Sequence, residues 1–475
     1  MKKYISLIML ALVLLTSFGL WTSPVYAYAY DTDFESVIHI QNIGTEIAGV
    51  SIDVINHLGE LTNYPIADIP VRGSTSLLVG SIGVGSDFKG SAVLRSSQPL
   101  ATVVSQSSSG EVKNQPLSSG FSEGSANVLI PTVLKNKFFF HSLFSVQNVD
   151  TETADLTFTF VPLIGDPPDP VVAGTPIIHQ ITDLAPGVSY FIDMGNFPAI
   201  TENSFNGSVA IEAKKAGSET PGAIVGTSME LEIAGYNAYA FDAALNTSNK
   251  IFMPSAVCKF GPNRNSTSAY AVQNTNNFPI DVKVTYSNGN IDGPYTLEAF
   301  AKRSFDGCQA GNPRGFLGSA IIESTGGDIH TVGKIYGGGL YPAHLGFING
   351  SSNVSLPYIR WTESNWYNQI GHRTYIAIQN IGTTNIQAGD VVVEYYNKDG
   401  TLAGTHVLGA IDVSKKANSH PQYIGASGYE FGNDGGGAAI VKGPIGSQLA
   451  VVVRVQRYIG DGNSVGEDYT GIPTN

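Results

Sequence analysis

The sequence predicts an all-β protein, four tandem immunoglobulin-like β-sandwich modules behind an N-terminal signal peptide, and three observations lead to it. The dipeptide Gln-Asn closes a short apolar–polar alternation four times, at Gln41-Asn42, Gln147-Asn148, Gln273-Asn274 and Gln379-Asn380. Successive copies of the Asn lie 106, 126 and 106 residues apart, about the length of one small β domain. Beyond the N-terminal segment no long stretch keeps the 3.6-residue apolar period of a helix, so helices should be short or absent.

The bulk numbers agree with this reading. A chain of 475 residues exceeds one ordinary core and calls for several domains. Only 14% of residues are charged, while Gly numbers 54 and Tyr and Phe 22 each, as turn-rich β proteins require. The net charge of −13 leaves no basic footprint for nucleic acid and disfavours acidic lipid surfaces.

Residues 1–27 have the grammar of an export signal: Lys2-Lys3, an apolar run from Tyr4 to Leu15, and a small-residue cleavage site at Ala27 or Ala29. No later stretch is apolar and long enough to span a bilayer, so no transmembrane segment is expected in the mature chain. The modules are expected at 28–121, 122–241, 242–347 and 348–475. A secreted or cell-surface location follows. It places the only two cysteines, Cys258 and Cys308, in an oxidising compartment within one module, where an internal disulfide is the favoured pairing.

Each module repeats more than Gln-Asn. A second alternating strand follows, as in Val50-Ser51-Ile52-Asp53-Val54 and Leu156-Thr157-Phe158-Thr159-Phe160, and then a turn such as Asn288-Gly289-Asn290 or Lys398-Asp399-Gly400. Next come Gly90-Ser91-Ala92, Gly207-Ser208-Val209 and Gly318-Ser319-Ala320, with a looser fourth copy at Gly437-Ala438-Ala439. Here glycine suits a bulge or a close approach. Ile130-Pro131, Met253-Pro254 and Leu356-Pro357 open modules two to four. The matching segment of module one falls in the signal region, so that module should lack an opening strand. Parity along each Gln-Asn strand turns the Asn to the core side and the Gln outward. The four Asn, Asn42, Asn148, Asn274 and Asn380, are therefore expected to peg the following loop by side-chain hydrogen bonds.

Chemistry is harder to find. The nine histidines show no metal-ligand spacing, and no nucleophile elbow or phosphate loop is present, so no catalytic residue, metal site or cofactor is expected. Asp31-Thr32-Asp33, Asp399-Gly400-Thr401 and Asp461-Gly462-Asn463 have the oxygen-rich composition of Ca²⁺ loops, but hairpin turns use the same residues. Trp361, Trp366 and Tyr367 are the candidates for stacking on a sugar. Phe138-Phe139-Phe140 fills a similar place in module two, which favours packing for both clusters. Five glycosylation sequons, at Asn206, Asn246, Asn265, Asn349 and Asn353, complete the inventory.

The Gln-Asn, Gly-Ser-Ala/Val and Leu/Ile-Pro motifs together resemble secreted prokaryotic surface proteins built of tandem immunoglobulin-like repeats. What the resemblance implies is a non-enzymatic extracellular structural or adhesive role, as a subunit of an envelope layer, sheath or filament, with self-association or other surface components as partners. The competing expectation is a secreted glycan- or protein-binding protein that uses end loops of module two or four.

Overall fold

In a computed structural model, described for residues 34–474 apart from 109–111, 166–170, 234–236, 262–264, 365–370, 426–427, 435 and 461–462, the chain is almost entirely β. Two short 3₁₀ turns, Val79–Ile82 and Pro421–Ile424, are the helical segments among the described residues. The export signal, Trp366, Tyr367, Asp31-Thr32-Asp33 and Asp461-Gly462 lie outside the described residues.

Each module is two antiparallel sheets with its core between them. The first sheet has the same strand order in all four copies, with the Gln-Asn strand second. In module one the order is Ser74–Leu78, Phe34–Asn42, Leu100–Ser108 and the closing strand Leu117–Ser119. The other closing strands are Ala238–Asp242, Ala343–Leu345 and Asn463–Thr470. The second sheet holds the opening strand: Asn127–Lys135 beside Phe205–Lys215, Lys250–Cys258 beside Phe316–Thr325, and Asn353–Leu356 beside Gly437–Lys442. In module one the second sheet comprises Leu61–Ile69, Ala48–Asn56 and Gly90–Ser96, and among the described residues no opening strand flanks Gly90–Ser96.

Alternation explains the cores. Ile38 and Ile40, Phe144 and Val146, Tyr270 and Val272, and Ile376 and Ile378 all point inward from their Gln-Asn strands and are buried. Every such pair removes enough apolar surface from water to contribute roughly 3–6 kcal/mol before the entropy of ordering is counted. The repeated Phe-x-Gly step has a packing cause. A Cβ on Gly90 or Gly207 would meet Ile55 O or Val161 O of the neighbouring strand at 2.1 and 2.2 Å, one on Gly318 would meet Ser287 Oγ at 2.3 Å, and each would also meet the ring of Phe88, Phe205 or Phe316 at 2.6, 2.6 and 2.5 Å, so glycine admits the close approach of both strand and ring.

A row of hinged beads is the natural expectation for tandem modules, and the structure departs from it. The four modules close into a ring. Module one packs on module two through Ile55, which lies against the core of module two, and through Ser91, whose hydroxyl donates to Gly187 O at 2.5 Å. Modules two and three share one core cluster, which extends to Val332 and Ala343. Modules three and four meet where the Lys250–Cys258 strand packs on His372–Asn380 and Leu449–Gly460. Module four returns to module one: Ser74 N–H donates to Lys398 O at 3.0 Å, and Val103 and Leu117 join the core cluster of module four. The opening prolines therefore sit buried inside a packed body, in the seams, and do not serve as exposed hinge points.

Candidate functional site

The Gln-Asn motif resolves into two devices with separate targets. Each Asn is a peg at the end of its strand, and all four are buried. Asn42 Nδ2 donates to Glu46 O at 2.8 Å and Ile69 O at 2.9 Å, while its Oδ1 accepts Gly44 N–H at 2.9 Å. The same triangle recurs at Asn148 with Glu152 O, Leu184 O and Asp150 N–H. It recurs again at Asn274 with Phe278 O, Leu297 O and Asn276 N–H, and at Asn380 with Thr384 O, Ile411 O and Gly382 N–H. One amide thereby satisfies a carbonyl and an N–H of the following loop and ties that loop to a second carbonyl further along the same module, at Ile69, Leu184, Leu297 or Ile411.

The Gln, expected to face outward, does so only with respect to its own module. Gln41, Gln273 and Gln379 are 0%, 4% and 0% exposed because the preceding module in the ring covers them. Gln273 Nε2 donates to Ser208 Oγ of module two at 2.7 Å. Gln379 Nε2 donates to Ala320 O of module three, and Ser319 Oγ donates to Ser414 O. At the first seam Gln147 Nε2 and Ser91 Oγ converge on one carbonyl, that of Gly187. Gln-Asn of one module thus meets Gly-Ser-Ala of the one before it. The fourth copy has Gly437-Ala438 in place of Gly-Ser. There Ser355 of the opening strand supplies the hydroxyl, donating to Gln41 Oε1 across the ring-closing seam.

That seam has further groups. His39, where the sister modules have Ser145, Ala271 and Ala377, looks like a stray substitution in sequence. In the fold its ring stacks on Tyr358 of module four at 3.9 Å, with Nδ1 at 2.8 Å from Ser76 Oγ and Nε2 at 3.0 Å from Ser105 Oγ. Burial lowers its pKa to about 3, aided by Arg360 and His372, so the ring is held neutral.

The four closing strands pack on one another at the centre. Here the modules contribute a polar hub. Asn114 of module one bonds Ala238 of module two through both its amide atoms and donates to Glu467 of module four. Ser119 N–H reaches Asp242 of module two, and its hydroxyl lies 3.2 Å from Thr470 Oγ1 of module four. Lys334 of module three pairs with Glu230 of module two at 2.6 Å, and His344 of module three with Asp468 of module four at 3.1 Å. Asp468 also takes a two-pronged contact from Arg454 at 2.8 Å on each oxygen. Burial acts to raise this carboxyl, but Arg454 and His344 hold it below its ordinary value. Burial pushes Glu467 well up against the opposing hydrogen bond of Asn114 and the charge of Arg454, and it pushes Asp242 up to about 7 against the hydrogen bonds of Ser119. Lys334–Glu230 and His344–Asp468 are paired across modules, whereas Glu467 and Asp242 receive hydrogen bonds from Asn114 and Ser119 of module one.

The sugar-stacking candidates fare differently from one another. Trp361 is 2% exposed, stacked on His420 at 4.8 Å and covered by Arg373 at 5.0 Å, so it is a core residue of module four and offers no platform. In module two, Phe140 packs against Tyr239, whereas Phe138 and Phe139 are 59% and 80% exposed in a turn with left-handed backbone, contrary to the packing expectation for that cluster. Cys258 and Cys308 are joined in a disulfide within module three. Asp399 Oδ1 is occupied by Thr401 N–H at 2.9 Å and Thr401 Oγ1 at 2.6 Å, the bonding of a hairpin turn. A cavity of about 300 Å³ opens between Phe252 and the loop after Asn380, and no ionisable side chain lines it. Among the described residues no cluster of three His, Cys, Asp or Glu side chains is arranged to hold a metal ion.

No protein-family model matches the chain, and no curated protein matches it. Among solved structures, it is similar to the crystal structure of a tetra-tandem repeat in the extending region of a large adhesion protein. The two are 15% identical over 91% of this chain and 94% of that one, with a TM-score of 0.09, too low to bear on the fold or the function.

Proposed function

We propose that the chain is a non-enzymatic extracellular structural or adhesive protein that works as one rigid bead, a building unit of an envelope layer, sheath or filament. The observation that carries this reading is the use to which the repeated polar residues are put. The Gln of Gln-Asn, the Ser of Gly-Ser-Ala and the Lys334–Glu230 and His344–Asp468 contacts all reach from one module to another, so much of the repeated polar chemistry serves assembly of the modules. The disulfide suits an oxidising exterior, and no helix among the described residues is long and apolar enough to cross a membrane. A ring differs mechanically from a string: its modules cannot extend under load without breaking buried seams, so any fibre it forms grows by ring-to-ring contacts.

Electron microscopy of the native secreted material is the test. Ordered fibres or lattices with a ring-sized repeat support the proposal, and dispersed single rings at native concentration refute it. The exposed Phe138 and Phe139 favour one second reading, a protein- or glycan-binding end loop on module two. Ligand capture that is lost in Phe139→Ser while the ring stays folded would favour that reading over assembly.

A further inference from the structure

We propose that one ring docks on the next through a knob and a hollow carried by every copy. The Phe138-Phe139 turn of module two enters the cavity between Phe252 and module four of a second copy, a contact that rests on the assembly reading and serves as its ring-to-ring link. Among the described residues the two most exposed large apolar side chains are Ile445, which is wholly exposed, and Phe139, at 80%. Phe139 tips the knob. Ile445 stands at the rim of the hollow, next to the lining residue Gly446.

The knob is held out and held still. Residues 136–139 join the strand Asn127–Lys135 to Phe140–Asn148, and Asn136, Phe138 and Phe139 keep left-handed backbone at φ 47°, 54° and 70°. Such angles are unfavourable for a bulky side chain and persist only where the surroundings impose them. Here Phe140 N–H donates to Lys137 O at 2.9 Å, and Ile233 N–H donates to Phe139 O at 2.7 Å. Phe140 packs against Tyr239, while the two rings before it face solvent. A turn fixed in this way loses little conformational freedom when a partner covers it.

The hollow matches the knob in chemistry, size and place. Phe252, Ile348, Ile381 and Ile386 give it apolar surface, and its other lining residues are glycine or uncharged polar residues. A phenyl ring can therefore enter without desolvating a charge. An apolar cavity of roughly 150 Å³ holds one benzene ring, and this one, at about 300 Å³, has room for two. None of its lining residues belongs to module two, and Phe138 and Phe139 are exposed, so within one chain the two features do not meet. Knob and hollow are unlike surfaces, which makes the contact heterologous. Each ring offers one of each, and addition continues in one direction without stopping at a dimer. The two phenyl rings bury roughly 300–500 Å² of their own surface, well short of the roughly 1,200–2,000 Å² of a stable interface, so assembly depends on concentration.

Sedimentation velocity of the full chain as secreted, over a concentration series, tests the contact from both halves. Phe139→Ser removes the knob and Thr383→Arg obstructs the hollow; both positions are exposed, and unchanged amide exchange at Val209 and Ile322 shows that the fold is kept. Wild type should grow into larger species, and each variant alone should need at least about tenfold higher concentration to do so. Mixed in equal amounts the two variants should pair, since one keeps a hollow and the other a knob, and should stop at pairs. Leu58→Ser, which removes another exposed apolar side chain, should assemble as wild type does. Assembly of either variant at wild-type concentrations, a mixture that fails to pair, or equal loss in Leu58→Ser overturns the knob and hollow while leaving the assembly reading intact. Wild type that stays a single ring at native concentration overturns both.

Discussion

Replacing Asn274 by Ala should cost the protein about 3–5 kcal/mol, and the structure shows where that figure comes from. Nδ2 donates to Phe278 O at 2.8 Å, Leu297 O at 3.2 Å and Glu298 O at 2.9 Å, while Oδ1 accepts from Asn276 N–H at 2.9 Å and Asn276 Nδ2 at 2.8 Å. Water can replace the amide at the carbonyls of Phe278 and Glu298 and at Asn276, which lie towards the surface, so each of those losses is about 1 kcal/mol or less. The Leu297 carbonyl belongs to a residue only 3% exposed and is left bare, at about 1–3 kcal/mol. Asn274→Asp keeps the shape and the acceptor but turns a carboxylate towards three carbonyls, and should be at least as damaging at neutral pH. Urea unfolding followed by far-ultraviolet circular dichroism, with amide exchange across residues 275–301, reads both the global and the local effect. A loss below about 1 kcal/mol for Asn274→Ala, with the loop still protected, would show that the peg holds nothing and that the repeated triangle is incidental.

The remaining predictions concern the seams and the buried rings. Gln273→Ala should weaken the seam of modules two and three by about 1–2 kcal/mol, seen as faster exchange around Ser208 with module cores unchanged; equal loosening of all seams would count against a local role. His39 has a folded pKa near 3 against 6.5 unfolded, so its neutral ring contributes stability that is complete above pH 6.5 and is lost as pH falls from there towards 3. His39→Gln should lack this term, and the stability gap between wild type and variant should shift by up to about 3 kcal/mol between pH 7 and pH 4; a gap that stays constant refutes the assignment. Trp361→Ala should destabilise module four by about 3–5 kcal/mol, measured by thermal unfolding. A sugar platform would instead lose binding with no loss of stability.

Much of the bead was legible in the sequence, because strand period, turn chemistry and internal repetition are local properties of the chain. An apolar residue recurs at every second position before each Gln-Asn, as at Ile38 and Ile40, Asn288-Gly289 marks a hairpin, and parity alone turned Asn42 and its three sisters to the core side. The same parity sends Gln41 and Gln379 outward from their own modules, and the structure buries both against the neighbouring module. Whether an outward side chain meets water or another module depends on how modules turn relative to one another, and no local rule encodes that rotation. His39 shows the same limit: beside Ser145, Ala271 and Ala377 it looks like drift, and only the ring brings Tyr358, from 319 residues further along, onto its face. Trp361 shows it from the other side, since an aromatic residue reads alike whether it ends against a sugar or against His420 and Arg373. The sequence by itself determined the strands, the pegs and the fourfold repetition. Only the tertiary structure decided that the repeats close on themselves, because closure rests on contacts such as Ser355 to Gln41 and Asn114 to Glu467 between residues more than 300 apart.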